Sequence, residues 1–212
     1  MITAQAWFAL AVGGIAALVD WWSVGRDRSD IEAVAKPAVM VALIAAAAAL
    51  TPADPAIRTA VVVGLTCGLV GDVLLFFDQF IAGAAAFLVG HVAYVVAFLL
   101  APQKLPFLIA GALLLGVMVG VVAGPIVAGA RKRSGLLGGV VVGYLIALGA
   151  VLVFGVGTAN PWVVAGVILF SVSDALLAYG RFVGPAPGGR VAVHVTYHLA
   201  QALLVVSLAT LA

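Results

Sequence analysis

The sequence predicts an all-α polytopic membrane protein that forms one transmembrane helical domain over residues 1–212. Of its residues, 66% are apolar and only 8% are charged, whereas soluble globular proteins carry about 25% charged residues. The mean hydropathy is +1.31, and the chain contains eight apolar stretches of roughly the 20 residues that cross a bilayer. This composition excludes a water-soluble enzyme, a nucleic-acid-binding protein and a disordered chain.

The helices are separated by short breaks rich in proline, glycine and charged residues. The chain starts with MITAQ, which lacks the basic residues of a signal peptide, so the first stretch is expected to remain as a helix. It ends at Trp21 and Trp22, which suit a membrane interface. The following breaks are, in order, SVGRDRSD, TPADPA, DQF, APQK, ARKRS, GTANP and FVGPAPGG. The eight predicted transmembrane helices lie near residues 4–22, 34–51, 57–77, 80–100, 105–129, 136–156, 161–181 and 190–211.

The basic residues predict the orientation, because Lys and Arg accumulate in short loops on the cytoplasmic side. With the N-terminus outside, only Arg58 and Lys104 fall on the outer side. An even number of helices returns the C-terminus to the outside as well. We therefore expect a multi-pass protein of the cell membrane whose cytoplasmic side carries Arg26, Arg28, Lys36, Arg131, Lys132, Arg133, Arg181 and Arg190.

An internal repeat is visible in two pairs of motifs. VGDVLL at 70–75 is matched by VSDALL at 172–177, and HVAY at 91–94 is matched by HVTY at 194–197. The order is the same and the separations are nearly equal. This predicts a parallel repeat of four plus four helices, in which helices 3 and 4 correspond to helices 7 and 8. The remaining helices show no such similarity.

Ionisable residues inside membrane helices cost about 2.5–3.5 kcal/mol each at the bilayer centre and therefore indicate function. Asp72 and Asp174 are the strongest candidates, and Lys36 approaches them from the same side of the membrane. Gly71 and Ser173 precede the two Asp residues and leave room for a ligand or a closely packed helix. The predicted site lies in the cytoplasmic half, with His91 deeper.

One face of helix 8 is polar. His194, Tyr197, His198 and Gln201 follow one another at i, i+3, i+4 and i+7. Such a face points at protein or water, and a seam of hydrogen bonds between helices would satisfy it without any chemistry. The two carboxyl groups are harder to explain in that way.

Two carboxyl groups in a low-dielectric cleft do not ionise alike, because they repel one another and Lys36 favours the charge of the one it contacts. We expect one neutral acid and one carboxylate. Such a pair suits acid/base hydrolysis, in which one group protonates the substrate and the other orients water. It equally suits a proton relay in a transporter, and the chemistry alone does not separate the two.

Four segments carry a resemblance to a known family. They are GDVLLFFDQFIAGAAAFLVGHVAYVVAF at 71–98, VILFSVSDALLAYGRF at 167–182, VTYHLAQALL at 195–204 and the Lys-Pro at 36–37. Together they are similar to the YhhN-like integral membrane family, which includes the lysoplasmalogenases. The resemblance implies hydrolysis of the vinyl-ether bond of a lysoplasmalogen, which gives a fatty aldehyde and glycerophosphoethanolamine or glycerophosphocholine.

The resemblance also implies site residues. The two motif aspartates of the family fall on Asp72 and Asp174, which are the expected catalytic pair. The expected substrate-binding or supporting residues are Lys36, His91, Tyr94, Ser173, His194, Tyr197, His198 and Gln201.

Vinyl-ether hydrolysis suits this pair of carboxyl groups. Its slow step is protonation of the alkene carbon, which produces an oxocarbenium ion that water captures. A buried carboxylic acid is a suitable proton donor, and the remaining carboxylate stabilises the cation and deprotonates the water. No metal or organic cofactor is required. The expected partners are the lysophospholipid substrate and membrane lipid, with no nucleic acid, and the sequence leaves the oligomeric state undetermined.

Two other functions remain open at this point. His194 and His198, four residues apart on one helix, together with a nearby Asp, would suit a zinc-dependent intramembrane lipid hydrolase. A parallel repeat with paired buried Asp residues would suit a proton-coupled transporter.

Overall fold

The computed structural model describes residues 3–50 and 54–211, and within these ranges it is all-helical, with eight helices joined by short turns. The predicted boundaries at residues 1, 51 and 212 lie outside the described residues. The helices are α1 Ala4–Gly25, α2 Ser29–Ala49, α3 Pro55–Phe76, α4 Phe80–Leu100, α5 Leu105–Arg133, α6 Gly135–Gly157, α7 Pro161–Phe182 and α8 Gly189–Ser207.

Capping side chains set several of the helix starts. Thr3, Asp54, Ser134 and Asn160 each accept a hydrogen bond from a backbone N–H in the first turn of α1, α3, α6 and α7. Each cap satisfies backbone donors that the helix itself leaves free.

In α5, a π-helical turn at Val119–Ala123 lies in the middle of a continuous helix.

The predicted helix boundaries differ most in α2 and α8. Helix α2 begins at Ser29, five residues earlier than predicted, because the charged segment read as a loop forms its first turn. Asp30 and Glu32 are favourable there, since the N-terminus of a helix carries a partial positive charge. Helix α8 ends at Ser207, and the chain continues in hydrogen-bonded turns instead of reaching residue 211 as a helix.

Seven of the eight helices, α1 to α7, are long and apolar enough to cross a membrane, so the chain is a multi-pass membrane protein. Helix α8 is not among them, because polar residues lower its hydropathy. Its His194, His198 and Gln201 are nevertheless buried in the bundle. The prediction of eight spans is thus confirmed for seven helices.

Seven helices form a ring and one lies outside it. Around the ring, α1, α2, α3, α4, α6, α7 and α8 each pack on the next, and α8 closes it by packing on α1 and α2. Helix α5 packs mainly against α6, and its buried residues are Gly111, Ile126 and Ala130. The ring therefore encloses the polar residues, while most of α5 faces outward.

The two ends of the bundle differ in charge. At one end, Thr3 donates to the Ala49 carbonyl, and the backbone N–H of Lys104 donates to the Gly157 carbonyl. At the other end, which we call the basic end, Arg133 donates to the Arg181 carbonyl. Eight of the ten basic residues lie towards the basic end, as predicted, and its assignment to the cytoplasm stays a prediction.

The four-plus-four repeat is not confirmed. The α3–α4 and α7–α8 hairpins are both closely packed, but α1 is part of the ring whereas α5 lies outside it. The depths of the two Asp residues also differ. With a rise of 1.5 Å per residue, Asp72 lies about 6 Å from the end of α3, and Asp174 lies about 12 Å from the end of α7.

Candidate functional site

Three cavities follow one another from the basic end into the bundle. The widest, about 800 Å³, is lined by Lys36, Asp72 and Arg190 among others. The second, about 80 Å³, shares these three residues and also includes Asp174. The third, about 50 Å³, shares Asp174 and is otherwise almost entirely apolar. Both predicted catalytic residues therefore line the middle cavity.

Asp72 is paired with a cation. Its Oδ1 lies 2.9 Å from Lys36 Nζ, and its side chain is 2% exposed. Lys36 Nζ also lies 5.6 Å from the centre of the Tyr197 ring. Asp72 Oδ2 has no hydrogen-bond partner among the described residues. One carboxylate oxygen is thus held by α2, and the other is buried without such a partner in the described ranges.

Asp174 has neutral and aromatic surroundings. The Tyr144 hydroxyl donates a hydrogen bond of 2.6 Å to Asp174 Oδ2, and His91 Nε2 lies 3.3 Å from the same oxygen. The His91 ring packs edge-on against Tyr144 and Phe170. Within the described ranges, no Lys or Arg forms an ion pair with Asp174. The two Asp residues therefore differ in their partners.

Tyr94, Gln201 and Tyr197 form a polar layer beside the cavities. The Tyr94 hydroxyl donates a hydrogen bond of 2.5 Å to Gln201 Oε1, which joins α4 to α8. The Tyr197 hydroxyl and Gln201 Nε2 are buried without a hydrogen-bond partner in the part of the chain that the structure describes. Of the three residues, Tyr197 lines the middle cavity.

Two of the predicted supporting residues have mainly structural contacts. Ser173 lines the middle cavity, but its hydroxyl donates to the Val193 carbonyl at 3.0 Å and ties α7 to α8. His198 lines none of the three cavities. Its Nδ1 accepts a hydrogen bond of 3.1 Å from Trp21 Nε1. We place His198 outside the site.

Three residues of this region were not predicted from the sequence as site residues. Asp20 in α1 is completely buried, and its Oδ2 lies 2.7 Å from His194 Nδ1. Glu32 at the start of α2 pairs with Arg190, and Tyr144 binds Asp174. An Asp within an apolar segment was a usable signal for Asp20. Tyr144 is a single tyrosine in α6, and the sequence gave no comparable signal for it.

The arrangement of possible metal ligands in the same region bears on the zinc alternative. Among residues 3–50 and 54–211, no group of three or more His, Cys, Asp and Glu side chains is arranged to hold a metal ion. His194 Nδ1 is directed at Asp20, and His198 Nδ1 accepts from Trp21. The zinc alternative therefore has no ligand set in that part of the chain.

Comparison with known proteins gives relatives but no solved structure. A family model described as the YhhN family matches residues 31–208. Proteins named lysoplasmalogenase TMEM86B are 32% identical over 146 residues in Sus scrofa and 33% identical over 149 residues in Homo sapiens. Each alignment covers 68% of this chain and 60% of the relative, so the chain matches about three fifths of the relatives' length. No solved structure matches.

Proposed function

The chain belongs to the YhhN family, and from that premise we propose that it is an integral membrane lysoplasmalogenase, which hydrolyses the vinyl-ether bond of a lysoplasmalogen. The succession of three cavities carries this proposal. A wide cavity with charged residues in its lining, a narrow cavity with two carboxyl groups and a small apolar cavity match the headgroup, the ether-linked alkene and the first carbons of the hydrocarbon tail of a lysophospholipid. The relatives named lysoplasmalogenase support the same reaction.

The wide cavity suits a zwitterionic headgroup. Its lining contains the cations Lys36, Arg181 and Arg190 and the carboxylates Glu32 and Asp78. A phosphate and an ammonium or choline group therefore both meet opposite charges there. The tail would run along the apolar cavity between α4, α6 and α7 towards lipid.

In the proposed reaction Asp174 is the acid. Apolar surroundings without a cation favour the neutral carboxylic acid, and the Tyr144 hydroxyl holds the group in place. Asp174 donates its proton to the alkene carbon that is not bonded to oxygen. The product of this step is an oxocarbenium ion, and general acid catalysis of this kind contributes about 10²–10⁴-fold to the rate.

Asp72 is the carboxylate in this proposal. Lys36 at 2.9 Å favours its ionised form, and the negative charge stabilises the oxocarbenium ion across the middle cavity. Water then adds to the cationic carbon and gives a hemiacetal. The hemiacetal breaks into the fatty aldehyde and the glycerophospho-alcohol, and its hydroxyl proton returns to Asp174. One water is consumed in each turnover.

The test is aldehyde release by the purified protein from a plasmenyl lysophospholipid in detergent. We expect aldehyde from this substrate and none from the saturated alkyl-ether analogue, because that analogue has no alkene to protonate. A proton-coupled transporter would leave both lipids chemically intact. Absence of aldehyde from folded wild-type protein would overturn the proposal.

A further inference from the structure

Asp20 and His194 form a buried pair beside the candidate site that the reaction above does not use. Asp20 lies on α1 and is completely buried, whereas His194 lies on α8 and is 5% exposed. His194 Nδ1 lies 2.7 Å from Asp20 Oδ2. A carboxylate in this position fixes the orientation and the tautomer of a histidine.

The geometry leaves the other ring nitrogen free to accept a proton. When Nδ1–H donates to Asp20, the neutral imidazole carries its lone pair on Nε2. His194 Nε2 lies 3.8 Å from Glu32 Oε1, which is too far for a hydrogen bond, and Glu32 Oε1 instead accepts from Arg190. His194 lines both the wide cavity and the middle cavity that contains Asp72 and Asp174.

The proposed reaction needs such a group. The attacking water must lose a proton, and the glycerol oxygen must gain one when it leaves. Asp174 recovers its own proton from the hemiacetal hydroxyl, so a second group has to carry the other proton between these two steps. Asp72 is poorly suited to do so, because Lys36 at 2.9 Å stabilises its unprotonated form.

We propose that His194 is the general base of this reaction and that Asp20 is its positioning residue, an inference that rests on the proposed function. As the water oxygen bonds to the cationic carbon, a water proton passes to His194 Nε2. As the bond between that carbon and the glycerol oxygen breaks, this proton passes to the glycerol oxygen and the hydroxyl proton returns to Asp174. Nothing is oxidised or reduced, and Asp20 stabilises the transient imidazolium.

Hydrolysis in D₂O tests this role. In the wild type, water captures the cation as soon as it forms, so the aldehyde gains one deuterium next to its carbonyl and the unreacted lysolipid gains none. In His194→Gln the capture is slow, and the cation returns a proton to Asp174. We expect aldehyde release to fall about 100-fold or more, while the recovered lysolipid acquires deuterium at the alkene carbon.

Two further variants make the test independent of folding defects. Asp20→Asn keeps the imidazole but removes its charged partner, so we expect a loss of about 10-fold or more with the same deuterium uptake. Thr196→Val is the matched control on α8, because the Thr196 hydroxyl donates only to carbonyls of its own helix. This control should behave as the wild type does in both measurements.

The outcomes separate the inference from the function. If the folded wild type releases no aldehyde, the proposed function fails and the inference fails with it. If the wild type is active but His194→Gln and Asp20→Asn keep its rate, only the inference fails. It also fails if the variants lose rate without deuterium in the recovered lysolipid, because a purely structural defect slows protonation and capture alike.

Discussion

Asp72 and Asp174 occupy matching motifs in the sequence but meet different partners in the structure. Asp72 contacts the Lys36 ammonium at 2.9 Å, whereas Asp174 accepts a hydrogen bond from the Tyr144 hydroxyl. A cation stabilises the ionised carboxyl group, and a neutral aromatic environment does not. This difference is the basis for assigning the acid to Asp174 and the carboxylate to Asp72.

The two residues are expected to act as one unit. Asp72→Asn and Asp174→Asn should each abolish aldehyde release while binding of the lysolipid persists, because Asn keeps the size of Asp but neither donates a carboxylic proton nor carries charge. The double variant should be no worse than either single variant, since groups that work together are strongly non-additive. Aldehyde release near the wild-type rate in either single variant would remove that residue from the mechanism.

Tyr144 is expected to support Asp174 through its hydroxyl group. Tyr144→Phe removes one hydrogen bond of 2.6 Å from Asp174 Oδ2, and a hydrogen bond between uncharged groups contributes about 0.5–1.5 kcal/mol. We expect kcat to fall by up to about 10-fold, with little change in KM. Tyr179→Phe on α7 is the control, because Tyr179 lines none of the three cavities. Equal kinetics for the two variants would contradict this role.

At the scale of helices, the contact between α3 and α4 depends on a glycine next to Asp72. A Cβ atom added to Gly71 would lie 2.6 Å from Phe87 Cε2, whereas one added to Gly120 on α5 meets nothing within 4 Å. We expect Gly71→Ala to lower the free energy of unfolding by about 1–3 kcal/mol. Gly120→Ala should leave it unchanged. Thermal unfolding in detergent, followed by circular dichroism, measures both. Similar unfolding midpoints for the two variants would contradict a close contact between α3 and α4 at Gly71.

The sequence was sufficient to predict the helices but not the way they meet. Proline, glycine and charge located all eight, and the error at the start of α2 arose because charged residues fit the first turn of a helix as well as a loop. The π-helical turn in α5 has no comparable signal in composition. The starts of α4 and α5, which have no capping side chain, were predicted as accurately as the capped start of α7 after Asn160.

The sequence predicted the candidate site only in part, because it does not show how the helices meet. Polar residues in apolar helices identified Asp72, Asp174 and Lys36, and all three line the middle cavity. His198 shares its helical face with His194, but it contacts Trp21 of α1 and lines none of the three cavities. Tyr144 and Asp20 were not predicted as site residues, because the ring order decides which helices lie next to α7 and α8. The local sequence pattern does not reveal that order.

At the scale of the whole molecule, we expect both termini on the outer side of the cell membrane. The basis is the clustering of eight basic residues towards one end of the bundle and two towards the other. A reporter that is active only outside the cytoplasm should be active when it is fused after residue 212. The same reporter should be silent when it is placed in the turn between α5 and α6. The reverse pattern would invert the topology.

For the proposed reaction, the order of the three cavities also implies separate exits for the two products. The glycerophospho-alcohol would leave through the wide cavity into water at the basic end, and the aldehyde would leave sideways into the bilayer from the apolar cavity. Once they lie in different phases, the products no longer meet, and hydrolysis is driven forward. The reactive carbonyl is also carried away from Lys36, the one lysine that lines these cavities in the described part of the chain and that forms an ion pair with Asp72. In the proposed reaction, the membrane would thus act as a sink that protects the protein from the aldehyde product.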